Sequence, residues 1–237
     1  MSTSMRRLVP LLTAAVVAIT AVLLGLPSSR AQAAPTPAEE AHWQTEKSLG
    51  SPSAPIRLTV YDDYECPACG QFYEQTLRQL IDTYVADGKV YLVHRDFPLP
   101  MHEFSRQAAR WVNAASRIGK FEAVERALFD NQMAWSEYGS ENPKGVMKPI
   151  VQSALTPVEF KRVEKIMQGC ESNDHSELKG CAVDAEIQHD IAAGSLLPIR
   201  QTPTFVVSYK GQSYPPAGGI VSWPLLKQFF DQLLSQK

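Results

Sequence analysis

From residue 56 the chain alternates, with Ile56, Leu58 and Val60 apolar and Arg57, Thr59 and Tyr61 between them, which is the period of a strand. The period then lengthens. From Pro67 to about Ala86, the apolar positions Phe72, Leu77, Leu80, Ile81, Tyr84 and Val85 recur at helical spacing; Gly88 closes that helix, and Val90 to Arg95 (VYLVHR) reads as a second strand. A strand, a helix and a strand of these lengths make a βαβ unit with parallel pairing.

The next stretch is helical. Phe104, Ala108, Trp111, Val112, Ala115 and Ile118 mark one amphipathic helix, and Phe121, Val124, Leu128 and Phe129 a second. Phe160, Val163, Ile166 and Met167, begun by Thr156 and Pro157, mark a third, and Val183, Ile187 and Ile191 a fourth. Such aromatic and methionine stripes are expected to face a core. Residues 136–148 (SEYGSENPKGVMK) are expected as a loop. After Pro203, Thr204 to Tyr209 (TFVVSY) is a β-rich run, Lys210-Gly211-Gln212 a turn, and Ser213 to Pro215 the start of a hairpin partner. Ser222 can cap a last helix with the apolar face Leu225, Leu226, Phe229, Phe230 and Leu233. The fold class is therefore α/β: β-α-β, a helical block of about 100 residues, then β-β-α, a small sheet flanked by helices.

The N-terminus changes the picture. Arg6 and Arg7 precede an apolar run from Leu8 to Leu26, followed by Ala31-Gln32-Ala33, the layout of a secretory signal peptide over 1–33. A retained membrane anchor is the alternative, because a run of about twenty apolar residues can span a bilayer. Either way the remainder is expected outside the cytoplasm, periplasmic or secreted. Residues 34–55, rich in Pro, Ala, Ser and Glu, read as a linker with one short helix at most. The formal net charge is −2, with no run of basic residues after the leader, so nucleic acid is not an expected partner.

The chain has 4 cysteines, too few for a disulfide-built scaffold, so an apolar core must carry the fold. Two of them lie in Asp62–Tyr73, DDYECPACGQFY. A Cys-x-x-Cys can be a redox couple, half of a metal site or an inert staple. With the helix beginning at Cys66, Pro67 falls in the first turn, where its missing N–H costs nothing. Cys69 lies one turn on, at a Cα separation of about 5–6 Å that a disulfide tolerates. The helix start favours a thiolate, so Cys66 is expected as the nucleophile with a depressed pKa and Cys69 as the buried resolving thiol. A zinc site would need further ligands at knuckle spacing, whereas Cys170 and Cys181 are separated by ten residues and His42, His94, His102, His175 and His189 are scattered. Cys170 and Cys181 flank a polar stretch between two expected helices. A structural disulfide is the plainer reading of that pair, a second redox couple the sharper one.

Asp63-Tyr64-Glu65-Cys66-Pro67-Ala68-Cys69, then Arg95-Asp96-Phe97-Pro98-Leu99 and Thr202-Pro203-Thr204-Phe205, together resemble the successive motifs of DsbA-like thiol-disulfide oxidoreductases of the thioredoxin superfamily. The resemblance implies a thioredoxin fold split into halves at 56–98 and 199–237 by a helical insertion at 99–198. It also implies that Pro203 is cis and packs beside the cysteine pair, so that Thr202 presents backbone groups to an extended substrate strand. It makes Cys66, Cys69 and Pro203 the catalytic residues, with Tyr64, Pro67, Ala68, Phe97 and Thr202 binding substrate.

Two departures stand out: Gln201 where members usually carry Gly, and Pro-Ala between the cysteines where DsbA has Pro-His. Because Ala68 adds no stabilising donor, a potential between those of DsbA and thioredoxin is expected. The expected activity is protein disulfide exchange, as an oxidase, in a monomer without metal or organic cofactor. The stretch before Ile56 is short for a dimerisation domain of the kind resembling isomerases carry, which favours that direction, whereas Thr202 is a residue often found before the cis-proline of reductases and isomerases. The expected partners are exported proteins with thiols or disulfides and a redox partner, at the membrane or soluble, that recycles the pair. The alternatives are a reductase or isomerase, and a non-enzymatic module holding unfolded chains on a groove around Tyr64, Phe97 and Pro98.

Overall fold

The computed structural model describes residues 47–136, 142–170, 181 and 183–236. The expected leader and most of the expected linker lie outside the described residues. Among the described residues, no helix is long and apolar enough to cross a membrane.

Among the described residues, six strands form one sheet, in the order β1-β3-β2-β4-β5, with β6 also on β4. They are β1 (Ser48–Leu49), β2 (Ile56–Asp62), β3 (Val90–Asp96), β4 (Thr204–Tyr209), β5 (Gln212–Ser213) and β6 (Ala217–Gly218). The alternation read in β2 is its burial: Ile56, Leu58 and Val60 are fully enclosed. β2 runs parallel to β3, with Asp62 opposite Asp96, and antiparallel to β4, with Tyr61 opposite Thr204. The C-terminal ends of β2 and β3 and the start of β4 therefore meet at one edge of the sheet. Anything attached to those ends must meet there too.

α1 (Pro67–Phe72) continues as helix through Tyr73–Leu77, Arg78–Leu80 and Ile81–Val85, the first and last of these wound as π-helix. The helical block comprises α2 (Ser105–Ser116), α3 (Phe121–Asp130), α4 (Gln132–Trp135), α5 (Pro143–Ser153), α6 (Pro157–Ile166) and α7 (Asp184–Ser195), and α8 (Trp223–Ser235) closes the chain. α6 begins with a capping box, in which Thr156 and Glu159 satisfy each other's backbone N–H.

Four expectations need correction. The stretch 136–148 is not all loop, because α5 starts at Pro143 with Asn142 accepting from the Gly145 N–H. Gly145 and Pro149 interrupt the apolar period, yet Met147 and Val151 are fully buried. Residues 47–55 do not behave as linker: β1 pairs with β3, and Lys47 is 2% exposed. Ser222 occupies the N-cap of α8 but makes no side-chain cap. Leu225, expected on the core face of that helix, is 62% exposed.

Candidate active site

The turn between β2 and α1 is built by Asp63, whose carboxylate accepts the N–H groups of Glu65 at 2.8 Å and Cys66 at 3.2 Å. This Asx-type turn leaves Cys66 extended at the N-cap (φ −66°, ψ 120°) and Pro67 inside the first turn of the helix. Cys69, one turn on, is 1% exposed, and its sulfur receives the Asp63 N–H at 3.4 Å. Both thiols are free. Across from them the Thr202–Pro203 peptide is cis, and Cys66 Sγ lies 3.6 Å from the Thr202 carbonyl oxygen. The Pro203 carbonyl accepts from Gly219 N–H, tying this segment to the end of β6.

The two sulfurs differ by environment. The Cys69 thiol is turned toward Cys66 and, with the Thr202 side chain and the N–H groups of Cys69 and Ala68, outweighs the effect of burial; the Cys66 thiol is lowered to about 5. Complete burial pushes Cys69 well above its ordinary value, and its bond to Cys66 and the nearby Asp62 charge push the same way. One thiolate forms at the helix start, and the second sulfur keeps its proton.

Beneath the pair lies a cluster of buried charges. His94 on β3 stands 3.1 Å from Asp62 and 2.9 Å from Glu125 of α3, and Tyr64 Oη lies 3.0 Å from its Nε2. Burial opposes a charge on His94, but Asp62, Asp96 and Glu125 together raise its pKa to about 10. Asp62 itself is pushed well above the usual carboxylate range by burial, despite His94. Asp96 and Asp190 both hold Lys47, and Asp190 also holds Arg95 at 2.5 Å.

The structure gathers Cys66, Cys69, Thr202 and Pro203 at one edge. It leaves Pro67 exposed and Ala68 half-buried beside them. Tyr64 does not belong to a substrate surface: it is 1% exposed, stacked on His94 and packed on Phe129. Tyr64 lies in the turn beyond the end of β2, where its neighbours Asp63 and Glu65 are buried as well. Phe97 is half-buried, edge-on to Tyr61 and against Gly194. The groove expected around these residues is replaced by a cleft of about 410 Å³ lined by Pro98, Leu99, Pro100, His102, Arg106 and Ile191, among others. Cys170 and Cys181 form a disulfide with a Cα separation of 4.8 Å; residues 171–180 between them lie outside the described residues.

Two site residues escaped the sequence reading. Gln132 of α4 donates to the carbonyl oxygens of Tyr64 (2.8 Å) and Cys66 (2.9 Å), clamping the turn from the helical block. No local signal marks it. His102 Nδ1 lies 2.7 Å from Asp63 Oδ2, which also accepts Leu99 N–H at 2.7 Å. Parallel pairing of β2 and β3 was a usable signal for His102, because the loop after β3 must leave the sheet at the edge where Cys66 sits.

A family model described as thioredoxin (Thioredoxin_4) matches residues 43–214. Among solved structures, the chain resembles Wolbachia pipientis alpha-DsbA1 with a TM-score of 0.61 at 22% identity, covering 79% of this chain and 89% of that one. It resembles Pseudomonas aeruginosa DsbA2 with a TM-score of 0.57 at 25% identity, covering 79% and 93%. A probable disulfide bond formation protein D of Bacillus cereus is 36% identical over 56 residues, 24% of this chain and 26% of that protein. Na(+)/H(+) antiporter NhaA 1 of Mycobacterium sp. (strain KMS) is 40% identical over 91 residues, 37% of this chain; the chain spans only 14% of that protein's length. With the match running through both halves of the sheet and the helices between them, the chain belongs to the thioredoxin family, and its fold resembles that of the DsbA structures.

Proposed function

We propose that this chain is an exported thiol-disulfide oxidoreductase acting on other proteins, and that it works as an oxidase. The observation that carries the reading is the Cys66 sulfur at a helix start, 3.6 Å from the carbonyl of Thr202 in a cis Thr202–Pro203 segment. In the oxidised protein, a substrate thiolate attacks Cys66 Sγ, the Cys66–Cys69 bond breaks, and Cys69 leaves and takes up a proton. A second substrate thiolate then attacks the substrate sulfur of the mixed disulfide. The substrate leaves with a disulfide, Cys66 leaves as a thiolate, and two electrons stay on the pair. Asp62, a buried acid whose charge acts on Cys69 and whose pKa burial raises, is the group we assign to supply that proton. A separate redox partner must reoxidise the pair.

The direction rests on Cys66. Stabilising its thiolate stabilises the reduced pair and makes the disulfide a stronger oxidant. A thiol at about 5 falls between about 3.5 for DsbA and about 7 for thioredoxin. Export is supported by the leader-like N-terminus and by the Cys170–Cys181 disulfide, which persists best outside the cytoplasm.

The test combines mapping and turnover. Mild alkylation of reduced protein should label Cys66 before Cys69, with a reactivity midpoint near pH 5, and Cys69→Ser should accumulate mixed disulfides through Cys66. Oxidised protein should form disulfides in a reduced, unfolded substrate. Preferential labelling of Cys69 would reverse the roles, and a potential at or below that of thioredoxin without substrate oxidation would make the chain a reductase.

A further inference from the structure

Asp63 is fully buried, and its carboxylate serves two clients. One oxygen accepts the N–H groups of Glu65 and Cys66; the other accepts Leu99 N–H and lies 2.7 Å from His102 Nδ1. His102 is therefore one carboxylate away from the nucleophile, approaching from the loop after β3. A buried carboxylate bonded to the backbone of Cys66 would by itself oppose a second negative charge on the Cys66 sulfur. An imidazolium on the far oxygen offsets that charge.

We propose that His102, held by Asp63, is a positioning residue that offsets the Asp63 charge beside Cys66 and so sets the redox poise of the Cys66–Cys69 pair. The inference rests on the oxidoreductase reading and adds to it a group outside the Cys-x-x-Cys. Asp63 is the main cause of a raised pKa at His102, burial opposes it, and the charges of Cys66 and Glu65 add to the rise. Glu103 and Arg106 are the other charged groups of the cleft wall beside His102, one of each sign. Reduction places a thiolate on Cys66 and oxidation removes it, so the imidazolium gains more from the reduced form. By linkage, His102 must then hold its proton more tightly in the reduced protein than in the oxidised one.

His102→Asn keeps an N–H donor near Nδ1 and removes the charge. Measured by thiolate absorbance against pH, its Cys66 pKa should rise by about one unit. The equilibrium constant with glutathione should move about tenfold toward the disulfide form, about 30 mV for this couple. His102→Phe should do the same or more. Should either variant fold poorly, the native protein still decides: His102 ring protons followed by NMR should titrate at a higher pH in the reduced form than in the oxidised form. A folded His102→Asn variant with unchanged thiolate pKa and glutathione equilibrium would overturn the proposal, and so would equal His102 midpoints in the two redox forms. Failure of the native protein to oxidise substrate proteins, with the His102 shifts intact, would instead overturn the proposed function and leave this coupling standing.

Discussion

A Cβ on Gly70 would stand 2.5 Å from Oε1 of Gln132, whose amide is held by the carbonyls of Tyr64 and Cys66. The side-chain end that must move is thus tethered and nearly buried. Gly70→Ala gains about 1 kcal/mol of helix propensity but forces Gln132 off two buried carbonyls, at about 1–3 kcal/mol. A net loss in denaturant midpoint is expected, with slower substrate oxidation because the Cys66 turn loses its clamp. In a Gln132→Ala background, Gly70→Ala should cost less or become stabilising. Additive effects in that double-mutant cycle would mean that the two residues do not share the clash.

Elements meet through charges as well as apolar faces. Lys47, ahead of β1, reaches Asp96 at the end of β3 and Asp190 in α7, so this one side chain ties the sheet edge to the helical block. The two carboxylates keep its ammonium charged despite full burial. Removing one member of a buried group of this kind costs about 3–5 kcal/mol. Lys47→Ala should fall at the lower end, because Asn113 still donates to Asp96 (2.6 Å) and Arg95 to Asp190. Urea unfolding measures this loss; a change within experimental error would show that the segment before β2 is a linker after all. The 34–55 stretch looked like one because two strand residues are too few to show a period, and a single lysine in a Pro, Ala, Ser and Glu-rich run carries no mark of burial.

For the whole molecule, the Cys66 shift links redox state to stability. In the folded reduced protein this thiol lies at about 5, against an ordinary 9.0. A depressed acid adds stability that is complete above the unfolded value and lost as pH falls to the folded one. Between about pH 5 and pH 9, unfolding the reduced protein therefore takes up a proton, and unfolding the oxidised protein has no such term. The Tm of the reduced form minus that of the oxidised form should rise with pH across this window. The slope is at most about 1.4 kcal/mol per pH unit, less to the extent that water screens the sulfur. Paired melting curves at pH 5.5 and 7.5 test it, and a difference that stays flat would contradict a thiolate at Cys66.

Local pattern alone determined much of this protein. The alternation at Ile56, Leu58 and Val60, the helical period after Pro67 and the strand at Val90 made the βαβ unit legible. Cys66, Pro67 and Cys69 made the redox chemistry legible, because strand and helix periods and a helix-start cysteine are set by neighbours within a few residues. Their partners are not neighbours. Gln132, His102 and Lys47 reach Cys66, Asp63, Asp96 and Asp190 across 39 to 143 residues of chain. Tyr64 faces inward because of where Phe129 and His94 come to rest. A hydrogen bond or a buried charge depends on which atoms the closed fold brings within about 3 Å, and only the tertiary structure decides that.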